Sequence, residues 1–445
     1  MRTLLTAIAF GALLGFGAAD ARAAAVIGGC PLYPADNVWN TPVDRAPVDT
    51  NSATYVSTIG AGLPLHPDFG TVYNGAPNGI PYTTVPGTQP AVAMVFTYAG
   101  DSDPGPYPLP PDAPIEGGAA SNGDRHVLVV DQDHCVLYEV WKAFQQPDGS
   151  WHGGSGAKWD LASNALRPAT WTSADAAGLP ILPGLVRYDE VAGGIITHAL
   201  RFTVPQTRNT FIWPGRHKAS NLTGAQYPPM GQRFRLKAGF DVSSYSAFNQ
   251  VILRALKRYG MFLADNGSAW YLSGAPDPRW SDDDLHALQQ LTGSDFEAID
   301  ESALQISANS GQAVQPAPPV PLPPPPAGAN YDIDGDGHYD ALTDGLLMLR
   351  YMFGLRGTAL VSGVTSPGAT RNATEIQTLL GGLGAALDVD GDNQADALTD
   401  GIMLLRKLFG LTGTPLVAGA IGTWATRTSP EAVTTYMNGF LPVLP

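Results

Sequence analysis

Near its end the chain repeats an acidic loop. Asp332-Ile333-Asp334-Gly335-Asp336-Gly337-His338-Tyr339-Asp340-Ala341-Leu342-Thr343-Asp344 returns as Asp388-Val389-Asp390-Gly391-Asp392-Asn393-Gln394-Ala395-Asp396-Ala397-Leu398-Thr399-Asp400, at an offset of 56 residues. Carboxylates at loop positions 1, 3 and 5 can converge on one hard cation, the sixth residue (Gly337, Asn393) suits a left-handed turn, and the seventh (His338, Gln394) can offer its carbonyl. Further acids stand at position 9 (Asp340, Asp396) and position 13 (Asp344, Asp400). The spacing predicts two calcium sites. Each loop then enters an apolar helix with a basic residue on its far face, GLLMLRYMF from Gly345 and GIMLLRKLF from Gly401.

These loops resemble dockerin-type calcium repeats, the paired half-EF-hand modules that tether secreted carbohydrate-active enzymes to cohesin-bearing partners. The resemblance covers the last quarter of the chain. It implies a small α-helical calcium module over 331–445, and a cohesin-like or cell-surface partner for it. Two features depart from the family pattern: the last acid falls at position 13 where a standard loop has it at 12, and the repeat is longer than a compact dockerin pair. The similarity runs on, Gly357-Thr358-Ala359-Leu360-Val361 matching Gly413-Thr414-Pro415-Leu416-Val417. The alternative to a docking role is calcium that only folds the module.

The other end reads as an export signal over residues 1–23, with Arg2, an apolar run from Leu4 to Ala18 and the small-residue cleavage pattern Ala21-Arg22-Ala23. The expected location is secreted, extracellular or periplasmic. No later run is long enough to cross a bilayer. A surplus of acids, 40 Asp and Glu against 25 Lys and Arg, argues against nucleic acid as a partner. In an oxidising compartment Cys30 and Cys135 can close one disulfide. Pro316–Pro326 reads as an extended proline spacer, about 34 Å long at ~3.1 Å per residue. The expected divisions are therefore a domain over 24–313, a linker over 314–330 and the calcium module over 331–445.

Residues 24–313 read as mainly β, an antiparallel sandwich or jelly roll with a few late helices. Strands are expected at Val92–Tyr98, in a hairpin of Arg125–Val130 and His134–Phe144, and at His198–Val204, Thr210–Trp213, Gln232–Leu236 and Ala269–Leu272. Helices are expected over Ala247–Tyr259 and after Ser281. Over Trp171–Phe202 and Lys257–Ala264 this domain resembles uncharacterised secreted bacterial proteins, which implies no activity.

Along the hairpin, Cys135, Leu137, Glu139 and Trp141 alternate onto one face. Glu139 is either a satisfied buried acid paired with an arginine, or a general acid in a groove where Trp141 stacks on a sugar. Glycoside hydrolysis needs a second carboxylate, for which Asp160, Asp189 and Glu190 are candidates, with Asp36 and Asp68 weaker. A second set, His126, His198, Arg201, Arg216 and His217, suits an acidic sugar, with Tyr188 or a histidine as the base of a β-elimination. Each histidine alone is better explained as a strand-end residue hydrogen-bonded to backbone. A third reading is a non-catalytic carbohydrate-binding or adhesive protein that uses Trp141, Trp151, Trp159 and Trp213 as stacking platforms. No Gly-x-Ser-x-Gly elbow, phosphate loop or dinucleotide fingerprint occurs, which removes serine-esterase, kinase and dehydrogenase readings. The favoured expectation is a glycoside hydrolase acting on a polysaccharide, with Glu139 as acid and Asp160 or Glu190 as its partner.

Overall fold

A computed structural model describes residues 25–242, 244–315, 320–422 and 425–441. The expected export signal and part of the proline spacer lie outside them. The first domain is built on β1 (Tyr82–Val85), β2 (Val127–Asp131), β3 (Val136–Trp141) and β4 (Ser155–Asp160), which make a sheet in the order β4-β3-β2-β1. β2 and β3 are the expected hairpin, Val127 opposite Val140 and Asp131 opposite Val136. Its turn is closed by Asp131, whose Oδ1 accepts from the backbone N–H groups of Asp133 and His134, each at 3.1 Å. All of β2 is buried. Val127 and Val129 face a small core with Tyr107, Val140 and Trp151, while Leu128 and Val130 face the main core with Leu137 and Trp159. This two-sided burial explains an apolar run that does not alternate.

A second sheet contains β5 (Leu200–Val204), β6 (Arg233–Leu236), β7 (Met261–Asn266), β8 (Tyr271–Ser273) and β9 (Phe296–Ala298), in the order β9-β6-β7-β5-β8, with the short strand His66–Asp68 at its edge. The fold is mainly β with some helices, as expected, but the expectation of antiparallel pairing is corrected in part. β1 pairs with β2, β5 with β7, and His66–Asp68 with β8 in parallel. The chain between β5 and β7 passes through β6 and the helix α1 (Ala247–Arg258), a crossover long enough to bring β7 back in the same direction. α1 begins where Ser246 Oγ accepts from Asn249 N at 3.1 Å, and it buries Val251, Ile252, Leu253, Ala255 and Leu256. Each large apolar side chain among them contributes about 1.5–3 kcal/mol. Thr210–Trp213, expected as a strand, makes only the isolated bridge between Phe211 and Met230.

The Cys30–Cys135 disulfide is formed and ties the N-terminal arm to the hairpin across a separation of 105 residues. On the chain-entropy model such a loop is worth up to about 4–5 kcal/mol.

The last part of the chain has its own core. Leu347 and Met348 of α2 (Leu346–Met352), Ile376 and Leu380 of α3 (Ala373–Gly382), Met403 and Leu404 of α4 (Ile402–Leu408) and Val433 and Met437 of α5 (Pro430–Asn438) meet there. α2 and α4 are the two helices expected after the acidic loops. Among the described residues no helix is long and apolar enough to cross a membrane.

Candidate functional site

One short loop organises the chemistry of the first domain. Ser173 holds it in shape, accepting from Asp175 N at 2.9 Å and placed to donate to Leu179 O at 2.6 Å. Ala177 N donates to Ala264 O at 2.8 Å, which draws the loop alongside the end of β7. Ser155 at the start of β4 donates to Ser173 O, and Arg216 N and His217 N both donate to Ala177 O. The loop therefore pins together both sheets and the segment that follows Trp213.

A cleft of about 370 Å³ opens over this loop. Asp175, Asp265 at the end of β7, His217, Trp141 at the end of β3, Tyr98, Asp101 and Asp124 all line it. Tyr98 and Trp141 stack with ring centroids 6.3 Å apart and planes at 28°. The Trp141 indole N–H donates to Asp124 Oδ1 at 3.0 Å. Flat aromatic faces beside carboxylates suit the apolar faces and hydroxyls of a sugar. A shallower groove along Thr370–Leu379 has one carboxylate, Glu375, which is already used to cap α3 by accepting from Asn372 N.

Beneath the cleft lies a charged cluster. Arg201 binds both oxygens of Asp175, Nε to Oδ2 at 2.9 Å and Nη2 to Oδ1 at 2.8 Å, and both residues are buried. His126 is buried, with Nδ1 2.7 Å from Glu116 Oε2 and Nε2 3.1 Å from Ala174 O. Burial opposes its charge, but Glu116 outweighs burial and lifts the imidazole to about 9. Imidazolium can donate to both partners at once. Asp265 is half-buried and pushed up to about 7, first by burial and then by the negative charge of Asp175, against the opposing pull of Arg201. It can hold a proton near neutrality and release it into the cleft. His217 Nδ1 lies 2.8 Å from Ala176 O. A carbonyl only accepts, so the proton sits on Nδ1 and Nε2 is the acceptor in the neutral ring.

The residues expected from sequence divide accordingly. Trp141, Arg201, His126 and His217 are brought to or just beneath the cleft. Glu139 is not: it is fully buried, accepts from Ile181 N and Leu182 N at 2.9 Å and from Trp159 Nε1 at 3.0 Å, and is pushed to about 7 by burial despite these bonds. The groove acid is thus corrected to a buried carboxylate that ties the first sheet to Ile181 and Leu182, with N–H donors where an arginine was expected. Its proposed partner Asp160 is exposed and accepts from Ala162 N at 2.9 Å, a turn acid. Glu190 forms a separate buried group with Arg187, 2.9 Å, and with His198 Nε2, 3.1 Å, while Asp189 points outward.

The expected elimination set is split by the same arrangement. Tyr188 packs on Trp280 and under Arg279, and His198 gives its Nδ1 to Ala199 O. Arg216 is consumed by Arg167 O, Ala308 O and Asn309 Oδ1. The four-tryptophan platform fails on burial. Trp151 and Trp159 are interior, and half-buried Trp213 donates to Ser310 O at 2.8 Å, leaving Trp141 in the cleft. Of the weaker acids, Asp36 accepts from Asn164 and Gln312, and Asp68 stands at the exposed end of the edge strand.

Asp175, Asp265, Asp101, Asp124 and Tyr98 escaped the sequence reading. Asp265 carried a usable signal, since a buried strand reading Met261-Phe262-Leu263-Ala264 and ending in Asp265-Asn266 delivers an acid at the end of a strand.

In the second module Asp332, Asp334 and Asp344 place carboxylate oxygens within 4.8 Å of one another, and Asp388, Asp390 and Asp392 do the same. These donor sets fit a hard divalent cation. Asp336, Asp340, Asp396 and Asp400 fall outside the two groups. Asp344 and Asp400 reach back across their loops, accepting from Ile333 N and Val389 N at 2.6 Å and from Asp340 N and Asp396 N at 2.9 Å. Burial pushes Asp390 and Asp400 upward, reinforced at Asp390 by the charge of Asp392 and at Asp400 by that of Asp390. His338 is exposed, and the Gln394 side chain turns to Asp392 and Arg45, so neither side chain enters these groups.

Scans against protein-family models, curated proteins and solved structures find no match to this chain.

Proposed function

We propose that the chain is a secreted polysaccharide-processing glycoside hydrolase whose reaction centre is the cleft between Trp141 and Asp265, and that its last module binds calcium. The observation that carries the reading is the meeting, in the lining of one cleft, of a half-buried carboxyl at the end of β7, a stacked aromatic pair and two further acids. Trp141 and Tyr98 stack on a sugar ring. Asp265 gives its proton to the glycosidic oxygen as the C–O bond breaks. Water attacks the anomeric carbon, and Asp101 or Asp124, on the aromatic lip, takes the water proton. Asp175 acts from behind: with both oxygens bound to Arg201 it is a positioning charge that helps Asp265 stay protonated.

A lyase would draw on Arg201 and His217, but Tyr188 and His198 lie in other clusters, so hydrolysis is the better supported chemistry. New reducing ends from a polysaccharide, without unsaturated uronate, are the expected product signature, and Asp265→Asn should abolish them.

In the last module, Asp332, Asp334 and Asp344 would hold one calcium ion and Asp388, Asp390 and Asp392 another, with backbone carbonyls completing each shell. Bound calcium would cancel charge in each loop and so stabilise a dockerin-like fold. Calorimetric titration should show two sites per chain.

A further inference from the structure

The 56-residue repeat supplies its own internal control, because the two copies differ in what they touch. Gly363 and Gly419 occupy equivalent places and both have positive φ, +71° and +66°. A Cβ on Gly363 would meet nothing within 4 Å, whereas one on Gly419 would lie 3.1 Å from Nη2 of Arg254 on α1. His338 in the first loop is exposed; its counterpart Gln394 is half-buried and accepts from Arg45 Nη2 at 2.6 Å. Asp332 is half-buried where Asp388 is 3% exposed, and Asp336 is half-buried where Asp392 is 1% exposed.

The surface that meets the second copy is rigid. Arg235 Nη1 donates to Val43 O at 2.5 Å and to Ala46 O at 2.9 Å, fixing the loop that carries Arg45. Val43 N donates to Arg258 O at 2.8 Å, and Arg258 pairs with Asp44, joining that loop to the end of α1. The linker joins in as well, Pro323 O accepting from Ala385 N at 2.8 Å. The described part of the proline spacer is thus tied by a hydrogen bond to the module it precedes.

We propose that the second acidic loop and its neighbouring turn at Ala418–Ala420 form an intramolecular docking face, through which the calcium module is held on Arg45 and Arg254 of the first domain. Calcium controls this contact: the loop presents Gln394 and Gly419 only when its clustered carboxylates are held together. The second half of the statement rests on the calcium reading above; the first half does not.

The test is small-angle scattering and limited proteolysis on the full chain, wild type and Arg45→Glu/Arg254→Glu, in calcium and in chelator, beside a calorimetric count of bound calcium. Wild type in calcium should be compact, with the 320–327 segment cut slowly. The double variant should keep both calcium ions and its melting transition, yet expand and be cut at least tenfold faster, and chelation should open wild type in the same way. A variant that binds calcium and scatters like wild type overturns the docking face. A wild type that binds calcium but stays compact in chelator overturns the calcium control. Absence of calcium binding, with the variant still opening, would fail the calcium reading and its control while leaving the docking face standing.

Discussion

Arg201 grips Asp175 through two parallel bonds, at 2.9 and 2.8 Å, and both residues are buried. A third arm, Nη1, donates to Ser273 Oγ at 2.5 Å. Bidentate pairing of this kind is among the stronger hydrogen-bonded contacts a carboxylate makes, and the negative charge of Asp175 raises Asp265. Replacing Arg201 with Met should cost about 3–5 kcal/mol, because Asp175 would be left as an unpaired buried charge. Denaturant unfolding checks it. Arg201→Lys should recover only part of the loss, since an ammonium cannot reproduce the planar fork.

Activity should decline as pH rises through about 7, where Asp265 loses its proton. Asp265→Asn should lower kcat by roughly 100-fold to 10,000-fold, the usual worth of a positioned general acid, while leaving the affinity for polysaccharide near wild type. A pH–rate profile and a binding isotherm on the same variant separate the two effects.

Trp141→Ala should weaken binding by about 1–2 kcal/mol without changing the fold. Trp159→Ala should instead cost about 3–5 kcal/mol of stability, being interior and donating to Glu139. Binding isotherms beside melting curves distinguish a platform from a core residue.

Glu139 should matter to stability and not to turnover. Its carboxyl is raised in the folded state to about 7, so the native protein holds this proton more tightly than the unfolded chain. Stability from that proton is present below the unfolded value near 4.5 and is lost as pH climbs through about 7. Glu139→Gln should flatten that slope and cost about 1–3 kcal/mol, since an amide cannot accept from all three N–H donors at once.

Chelation should lower the melting temperature of the calcium module. Asp388→Ala should lower it more than Asp332→Ala, because the Asp388 side chain is 5% exposed and that of Asp332 15%. Calorimetric scans with and without calcium measure the order.

What could be read from sequence was local. The hairpin from Val127 to Trp141, α1, the disulfide and the helices after both acidic loops follow from alternation, periodicity and spacing within a short window. The parallel pairing of β5 with β7 was hidden, since it is set by a crossover of more than fifty residues. Glu139 misled because alternation tells which face a side chain takes, but not what covers that face; Ile181 and Leu182, which cover it, are 42 and 43 residues away. The cleft acids arrive from separate loops, Asp175 beside Arg201 and Asp265 at a strand end. No local pattern marks such a meeting.

The most direct test of the account is to incubate the full chain and Asp265→Asn with a panel of neutral and acidic polysaccharides, recording reducing ends together with the ultraviolet absorbance of unsaturated uronates. The account predicts reducing ends from the wild type without absorbance, and none above background from the variant. Equal turnover by both proteins, absorbance rising with the reducing ends, or no turnover of any polymer by the wild type would contradict it.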